Sequence, residues 1–212
     1  MEDNKVVLLY SGGIDSTVLL YRLVESTYDV YPFFINYGQN SVKGEITAIY
    51  KILDEYLKKK LFILNVPEIR NIGKGSLIGE YPKNLGSIEE WYQSEFFPNR
   101  NMILISIGAA YCYKIGASKL AIGVVGISYK DTTKIFLSGI EKLLNNSLKN
   151  IKIIAPFAEL PREEVVKESV RLNVPIELTF SCNSSGEQHC LLCTSCYERE
   201  KALQLRQKLI IR

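Results

Sequence analysis

The chain has 212 residues, 47% of them apolar and 23% charged, with a net charge of +3. That length supports one large α/β domain or one domain with a small appendage. A balance so near neutral admits an anionic ligand but lacks the basic stripe of a dedicated nucleic-acid binder, and no apolar run approaches the ~18 residues of a membrane span.

The acidic start, Met1-Glu2-Asp3-Asn4, runs into an apolar segment and is unlike a secretory signal. A cytoplasmic setting with reduced thiols is therefore expected. Residues 5–10 (KVVLLY) are long enough for one buried strand, and 18–24 (VLLYRLV) continue as a helix. Between them lies Ser11-Gly12-Gly13-Ile14-Asp15-Ser16-Thr17. A strand, a glycine turn and a helix N-terminus make an anion site, because the first N–H groups of the helix have no partner within it. Gly12 and Gly13 let the backbone turn sharply and come close to a ligand. The hydroxyls of Ser11, Ser16 and Thr17 add donors for phosphate oxygens. Asp15 would repel a phosphate, which leaves it the roles of N-cap or magnesium ligand. No Gly-Lys-Ser/Thr follows at the Walker spacing. The stretch resembles the SGGxDS signature of the PP-loop ATP pyrophosphatases. That resemblance implies cleavage of ATP between its α and β phosphates and adenylation of a substrate.

Residues 30–36 (VYPFFIN) read as a second strand, followed by a turn at Tyr37-Gly38-Gln39-Asn40 and a helix over 41–60. Residues 60–66 (KLFILNV) read as a third strand. Apolar strands alternating with such helices predict right-handed βαβ units in a doubly wound, mostly parallel α/β sheet. Residues 67–98 break the rhythm, with five glycines or prolines between their terminal prolines and the aromatics Trp91, Tyr92, Phe96 and Phe97. A stretch that long without periodicity reads as a partly ordered flap over the nucleotide site or as a subunit contact. A mostly apolar helix over 101–115 is expected to be buried, with Cys112 as a small core residue. A strand at 119–125, a loop at 126–130, a helix near 132–144 and a strand at 152–155 follow. Pro161 should open a helix over 162–172, which Asn173 and Pro175 end.

Cys182, Cys190, Cys193 and Cys196 fall within fifteen residues, spaced C-x7-C-x2-C-x2-C. Two overlapping C-x2-C steps let neighbouring thiolates share one tetrahedral ion, and Cys182 closes the shell across a Ser184-Ser185-Gly186 loop. Four thiolates leave no open position, so a structural zinc is expected. His189, the sole histidine, adjoins the cluster and is a candidate for a hydrogen-bonding or substrate-facing role. Residues 197–212 read as an amphipathic helix carrying Ala202, Leu203, Leu205 and Leu209, able to pack on the domain or on a second subunit. The organisation expected is a nucleotide-binding domain over 1–178, with the knot and terminal helix, 179–212, packed on the same unit.

Taken together, the PP-loop, Tyr37-Gly38-Gln39, Pro98-Asn99-Arg100-Asn101 before a helix, and TFSC-x7-C-x2-C-x2-C-x2-R resemble the QueC family of 7-cyano-7-deazaguanine synthases. The resemblance runs from about Lys5 to Lys201. It implies an ATP-dependent ligase that adenylates the carboxylate of 7-carboxy-7-deazaguanine. Ammonia would then give the amide, and a second activation would give the nitrile, a queuosine and archaeosine precursor. On that reading Ser11, Gly12, Gly13, Ser16 and Thr17 hold pyrophosphate, with magnesium through Asp15. Tyr37, Gln39, Arg100 and Asn101 face the nucleotide or the carboxylate, and Arg162 adds a cation where the family usually carries lysine.

The chain departs from the family in one loop. Where the biosynthetic enzymes typically read about D-x-S-G-Y-P-D-C-R-P-E-F, it carries a shorter loop over 126–136, in which Tyr129, Asp131 and Phe136 align. Phe180 replaces the tryptophan of TWSC. Tyr129, Asp131, Phe180 and His189 are the candidate substrate contacts. The departure keeps open a QueC-like antiphage-defence enzyme, which would pass the activated deazaguanine to a protein N-terminal amine. Two remoter readings are a PP-loop tRNA thiolase, which needs a reactive cysteine pair, and a nucleotide sensor without turnover. A homodimer is expected, with no membrane and no direct nucleic-acid contact.

Overall fold

The structure is a computed structural model that describes residues 4–80, 82, 86–126, 129–148 and 150–211. The expectation for the N-terminus therefore lies outside the described residues at 1–3, as do parts of the 67–98 and 126–136 segments and the last residue.

Among the described residues, five strands form one parallel sheet: β1 (Lys5–Leu9), β2 (Asp29–Asn36), β3 (Phe62–Asn65), β4 (Lys119–Ile122) and β5 (Lys152–Ile154), in the order β3-β2-β1-β4-β5. Eight α-helices accompany them in the same residues: α1 (Ile14–Glu25), α2 (Val42–Ile52), α3 (Glu55–Lys60), α4 (Ile88–Ser94), α5 (Arg100–Ile115), α6 (Lys134–Ser147), α7 (Arg162–Arg171) and α8 (Thr194–Ile210). Strand residues alternate between two apolar layers, as a sheet covered on both faces requires. Val6, Leu8, Val30 and Phe34 join Val18 and Leu19 of α1 and Val165 and Val166 of α7. Val7, Phe33, Ile35 and Leu120 join Ile105 and Ala109 of α5 and Leu137 and Ile140 of α6. The chain winds outward from β1 in one direction and from β4 in the other. The loops at the C-terminal ends of these two neighbours diverge, and the crevice between them is where such sheets take their ligands.

Three expectations need correcting. The helix read over 41–60 is two helices, because Leu53 is extended (φ −70°, ψ 134°) and Asp54 starts a new one by accepting the Leu57 N–H at 2.8 Å. The helix read as buried, α5, buries only a stripe of Asn101, Ile105, Gly108, Ala109 and Cys112, while Tyr113 is 75% exposed. It covers the sheet as an outer layer, so only the face toward Leu120 and Leu9 is closed off. Pro161 opens α7 as expected, standing immediately before it as the N-cap. The terminal helix begins at Thr194, inside the cysteine cluster, with the Cys193 sulfur accepting the Cys196 N–H. Its Ala202, Leu203, Leu205 and Leu209 pack into the layer that holds α7.

Candidate active site and cysteine cluster

The loop after β1 turns at Gly12 (φ +72°), where a Cβ would meet Ile49 Cγ1 at 3.0 Å and the Glu45 carbonyl at 3.1 Å. Glycine is needed there both for the left-handed backbone and for the close approach to α2. Gly13, extended and without a side chain, is the N-cap of α1, so Asp15 is not. The Ser11 hydroxyl accepts the Gly13 N–H at 3.3 Å and lies 3.3 Å from the Ser16 hydroxyl. Across the crevice Gly123 follows β4 so closely that a Cβ would meet the Ser16 nitrogen at 2.8 Å.

These residues open on a cavity of about 390 Å³. Ser11, Gly13, Asp15 and Ser16 line it, whereas Gly12 and Thr17 do not. Thr17 is fully buried beneath the loop, with its hydroxyl 3.4 Å from that of Tyr10. Asp15 is engaged by a cation: Arg162 Nη1 lies 2.8 Å from its carboxylate, and Arg162 Nε lies 3.4 Å from Glu198. The Asp15 charge in turn holds the Arg162 guanidinium above its ordinary value.

Tyr37, Gln39 and Arg100 meet on one wall. Gln39 is buried; its oxygen accepts the Tyr37 N–H at 2.9 Å and its amide donates to Glu45 at 2.7 Å. Burial pushes the Glu45 carboxyl up to about 7, against the opposing pull of Gln39, Ser41 and Arg100. Burial also works against the Arg100 charge, but Tyr37, Asp131 and Tyr129 together keep it above its usual range. Asn101 lines the cavity as well and ties down the following loop, donating Nδ2 to the Asp131 carbonyl at 3.2 Å.

The candidate substrate contacts divide. Tyr129 and Phe180 line the cavity. Asp131 does not: its carboxylate takes the Asn101 N–H at 3.4 Å, at the N-terminus of α5, where a negative charge is favoured. His189 is outside the wall too, its ring tilted at 39° and 4.8 Å from that of Phe180, and it accepts the Ser181 N–H at 3.4 Å. Burial holds its imidazole below the usual range.

Segment 67–98 supplies part of the wall through Leu77, Tyr92 and Glu95. Asn40 anchors it, donating Nδ2 to the carbonyls of Ser76 at 2.8 Å and Gly79 at 2.9 Å. Within it α4 starts with a reciprocal Ser87–Glu90 capping box. The sequence reading did not single out Glu45, Glu95, Thr194 or Glu198. A lone glutamate in an amphipathic helix carries no visible signal. Thr194 and Glu198, four apart on a helix that opens inside the cysteine cluster, could have been assigned to one face.

The cluster itself is close-knit. The sulfurs of Cys182, Cys190, Cys193 and Cys196 all lie within 4.8 Å of one another and can hold a metal ion. Cys190 and Cys196 are 3.9 Å apart, against about 3.8 Å for the edge of a tetrahedron with 2.3 Å metal–sulfur bonds. Backbone N–H groups of Cys190, Leu192, Cys193 and Cys196 point at the sulfurs, an arrangement that favours thiolates. The segment leading in crosses the glycine loop: the Phe180 N–H bonds the Gly12 carbonyl at 3.0 Å. Buried Arg199 of α8 fastens the same segment through Thr179 Oγ1 at 2.5 Å and the Ile176 carbonyl at 3.1 Å.

The sequence profile of the family described as "Queuosine biosynthesis protein QueC" matches residues 5–207. A protein of Desulfitobacterium hafniense called "7-cyano-7-deazaguanine synthase 1" is 59% identical over 98% of this chain and 95% of its own length. The chain belongs to the QueC family. Similar proteins from Archaeoglobus fulgidus (37% identical, 93% of this chain, 85% of that protein) and Nautilia profundicola (33%, 94% and 93%) are called 7-cyano-7-deazaguanine synthase. Among solved structures, a 4-thiouridine synthetase in complex with RNA and ATP matches 98% of this QueC chain and 51% of its own, at TM-score 0.52 and 17% identity. A tRNA thiolase from Methanococcus maripaludis with its 4Fe–4S cluster matches 99% and 67%, at TM-score 0.51 and 18% identity. At such identities these two establish the shared PP-loop fold alone.

Proposed function

We propose that this QueC protein is an ATP-dependent ligase. It adenylates the carboxylate of 7-carboxy-7-deazaguanine, couples it to ammonia, and activates the resulting amide again to form 7-cyano-7-deazaguanine. The observation that carries the reading is the 59% identical synthase, matched over nearly both whole chains. The geometry agrees in kind: a glycine-rich helix N-terminus opens on a cavity lined by Arg100 and Arg162.

A carboxylate is a poor electrophile, and transfer of AMP to it supplies a leaving group. The catalytic work is then largely positioning and charge neutralisation. Ser11, Gly13 and Ser16 would bind the departing pyrophosphate. Arg162 would offset charge at the reacting phosphate, and Tyr37, Gln39, Arg100 and Asn101 would orient the nucleotide. Magnesium, if held through Asp15, would neutralise phosphate charge; Arg162 then has to yield part of its hold on that carboxylate. The four cysteines fit zinc by their number, softness and spacing, and such a site would be structural. Its structural task would be to lay Phe180 and Ser181 against the glycine loop. A homodimer belongs to the same proposal, with exposed Tyr113, Leu191 and Leu192 as available apolar surface.

The test is product analysis with ATP, magnesium and 7-carboxy-7-deazaguanine, with and without ammonium. AMP, pyrophosphate and the nitrile, formed only with ammonium, are expected. AMP without nitrile in the presence of ammonium would move the acceptor to another amine, such as a protein N-terminus. The relatives' names weigh toward ammonia.

A further inference from the structure

The cavity has a second end that the phosphate chemistry leaves unused. There its lining includes Tyr92 and Glu95 of segment 67–98, Tyr129, and Thr194 and Glu198 of α8. Glu95 is only 5% exposed, and the Thr194 hydroxyl bonds its Oε2 at 2.5 Å. The rings of Tyr92 and Tyr129 meet edge to face, 6.0 Å apart at 77°. Tyr92 lies within electrostatic reach of Glu198, Arg162, Glu95 and Lys201. Asp15, Arg162, Tyr92 and Glu95 thus all line one cavity.

We infer that this end is the base-recognition subsite, in which the Glu95 carboxylate accepts the adjacent ring N–H and exocyclic amino group of a guanine-like heterocycle. The inference rests on the functional reading above and assigns the part of the substrate that reading left unplaced. An ionised carboxylate is acceptor-only, and its two oxygens can take two parallel N–H donors at once. The amidine edge of a guanine presents such a pair, and adenine does not. Glu95 already bonds Thr194, and a carboxylate, with about four acceptor sites, can take further donors. The other acids of the region face different groups. Glu198 pairs with Arg162, Asp131 caps α5 outside the cavity wall, and Glu45 bonds Gln39 on the α2 side. The two tyrosines add flat apolar surface for the heterocycle. Burial, chiefly, holds the Tyr129 hydroxyl up at about 12, so it remains a donor at neutral pH. With the base at Glu95, a carboxylate on its five-membered ring would be carried along the wall toward Arg162 and the glycine loop.

The experiment is calorimetric binding of 7-carboxy-7-deazaguanine and of its analogue lacking the 2-amino group, to wild type, Glu95→Gln and Glu95→Asp, with ATP affinity as the control for folding. Wild type should prefer the amino compound by on the order of 10²-fold. Glu95→Gln should lose most of that preference while ATP affinity stays within about twofold. Glu95→Asp, which keeps the charge, should retain part of it. Undiminished preference in Glu95→Gln would overturn the assignment of Glu95 and leave the functional reading standing. Failure of wild type to bind 7-carboxy-7-deazaguanine would overturn both.

Discussion

Arg162 and Asp15 are 147 positions apart in the chain and 2.8 Å apart in the fold. The pair joins the first turn of α1 to the first turn of α7, so the cation closes over the glycine loop from the neighbouring helix of the same layer. Arginine at this place holds Asp15 and reaches Glu198 at once, which fixes the fork before any nucleotide arrives.

Arg162→Met should therefore lower the rate of pyrophosphate release by ~10²-fold or more, with the KM for ATP changing much less. Arg162→Lys should keep most of the rate, since a point charge still reaches the phosphates. Equal loss in both variants would mean that the bidentate geometry, and not the charge, matters. Steady-state kinetics of pyrophosphate release separates the two.

The cysteine cluster predicts a dependence of fold on metal. Cys182→Ser opens the tetrahedron and frees the Phe180 segment from the Gly12 carbonyl. It should lower stability by well over the ~1 kcal/mol of an average substitution and should also reduce bound zinc. A chelator should have the same effect on the wild type, and metal analysis beside thermal unfolding checks both. A variant with full zinc content and unchanged melting would contradict the four-ligand assignment.

Gly44 and Phe180 predict a coupling. A Cβ at Gly44 would lie 2.4 Å from the Phe180 ring, so Gly44→Ala has to displace it. The cost should be ~1–3 kcal/mol of overpacking. In the Phe180→Ala background most of that cost should disappear, because the obstructing ring is gone. A double-mutant cycle by denaturant unfolding measures the coupling, and simple additivity would contradict the contact.

Glu45 predicts a pH dependence. Its native carboxyl is raised to about 7 from an ordinary 4.5, so the folded state holds a proton that the unfolded chain has already released. Its contribution to stability is full below pH ~4.5, declines as pH rises, and is lost above ~7. Glu45→Gln should flatten that decline and be more stable than wild type at pH 8, by up to ~3 kcal/mol. Midpoints of urea unfolding at pH 5 and pH 8 check it; parallel shifts at both would contradict a raised Glu45.

Much of the fold is legible in the chain because the apolar runs at β1, β2 and β4 are best buried between two helical layers. The glycine loop and the cysteine spacing are legible for the same reason: each needs particular residues at fixed offsets. What escapes is decided by tertiary placement. Thr17 sits in a phosphate-loop signature, yet its hydroxyl turns inward to Tyr10. Asp131 aligns with a substrate loop, yet caps α5. The break at Leu53 hides inside a continuous helical pattern, since only the Asp54 cap reveals it. Glu95 comes from a segment without periodicity and acquires meaning only where α8 brings Thr194 against it.

Twofold adenylation at the glycine loop leaves its mark in oxygen transfer from the substrate to AMP. 7-Carboxy-7-deazaguanine labelled with ¹⁸O in both carboxylate oxygens is turned over with ATP, magnesium and ammonium, and the AMP is analysed by mass. Each activation joins a substrate oxygen to the α-phosphate and releases pyrophosphate, and each collapse leaves that oxygen on AMP. Two AMP and two pyrophosphate per nitrile are expected, with one ¹⁸O in each AMP. Unlabelled AMP, or ADP with inorganic phosphate, would contradict twofold adenylation.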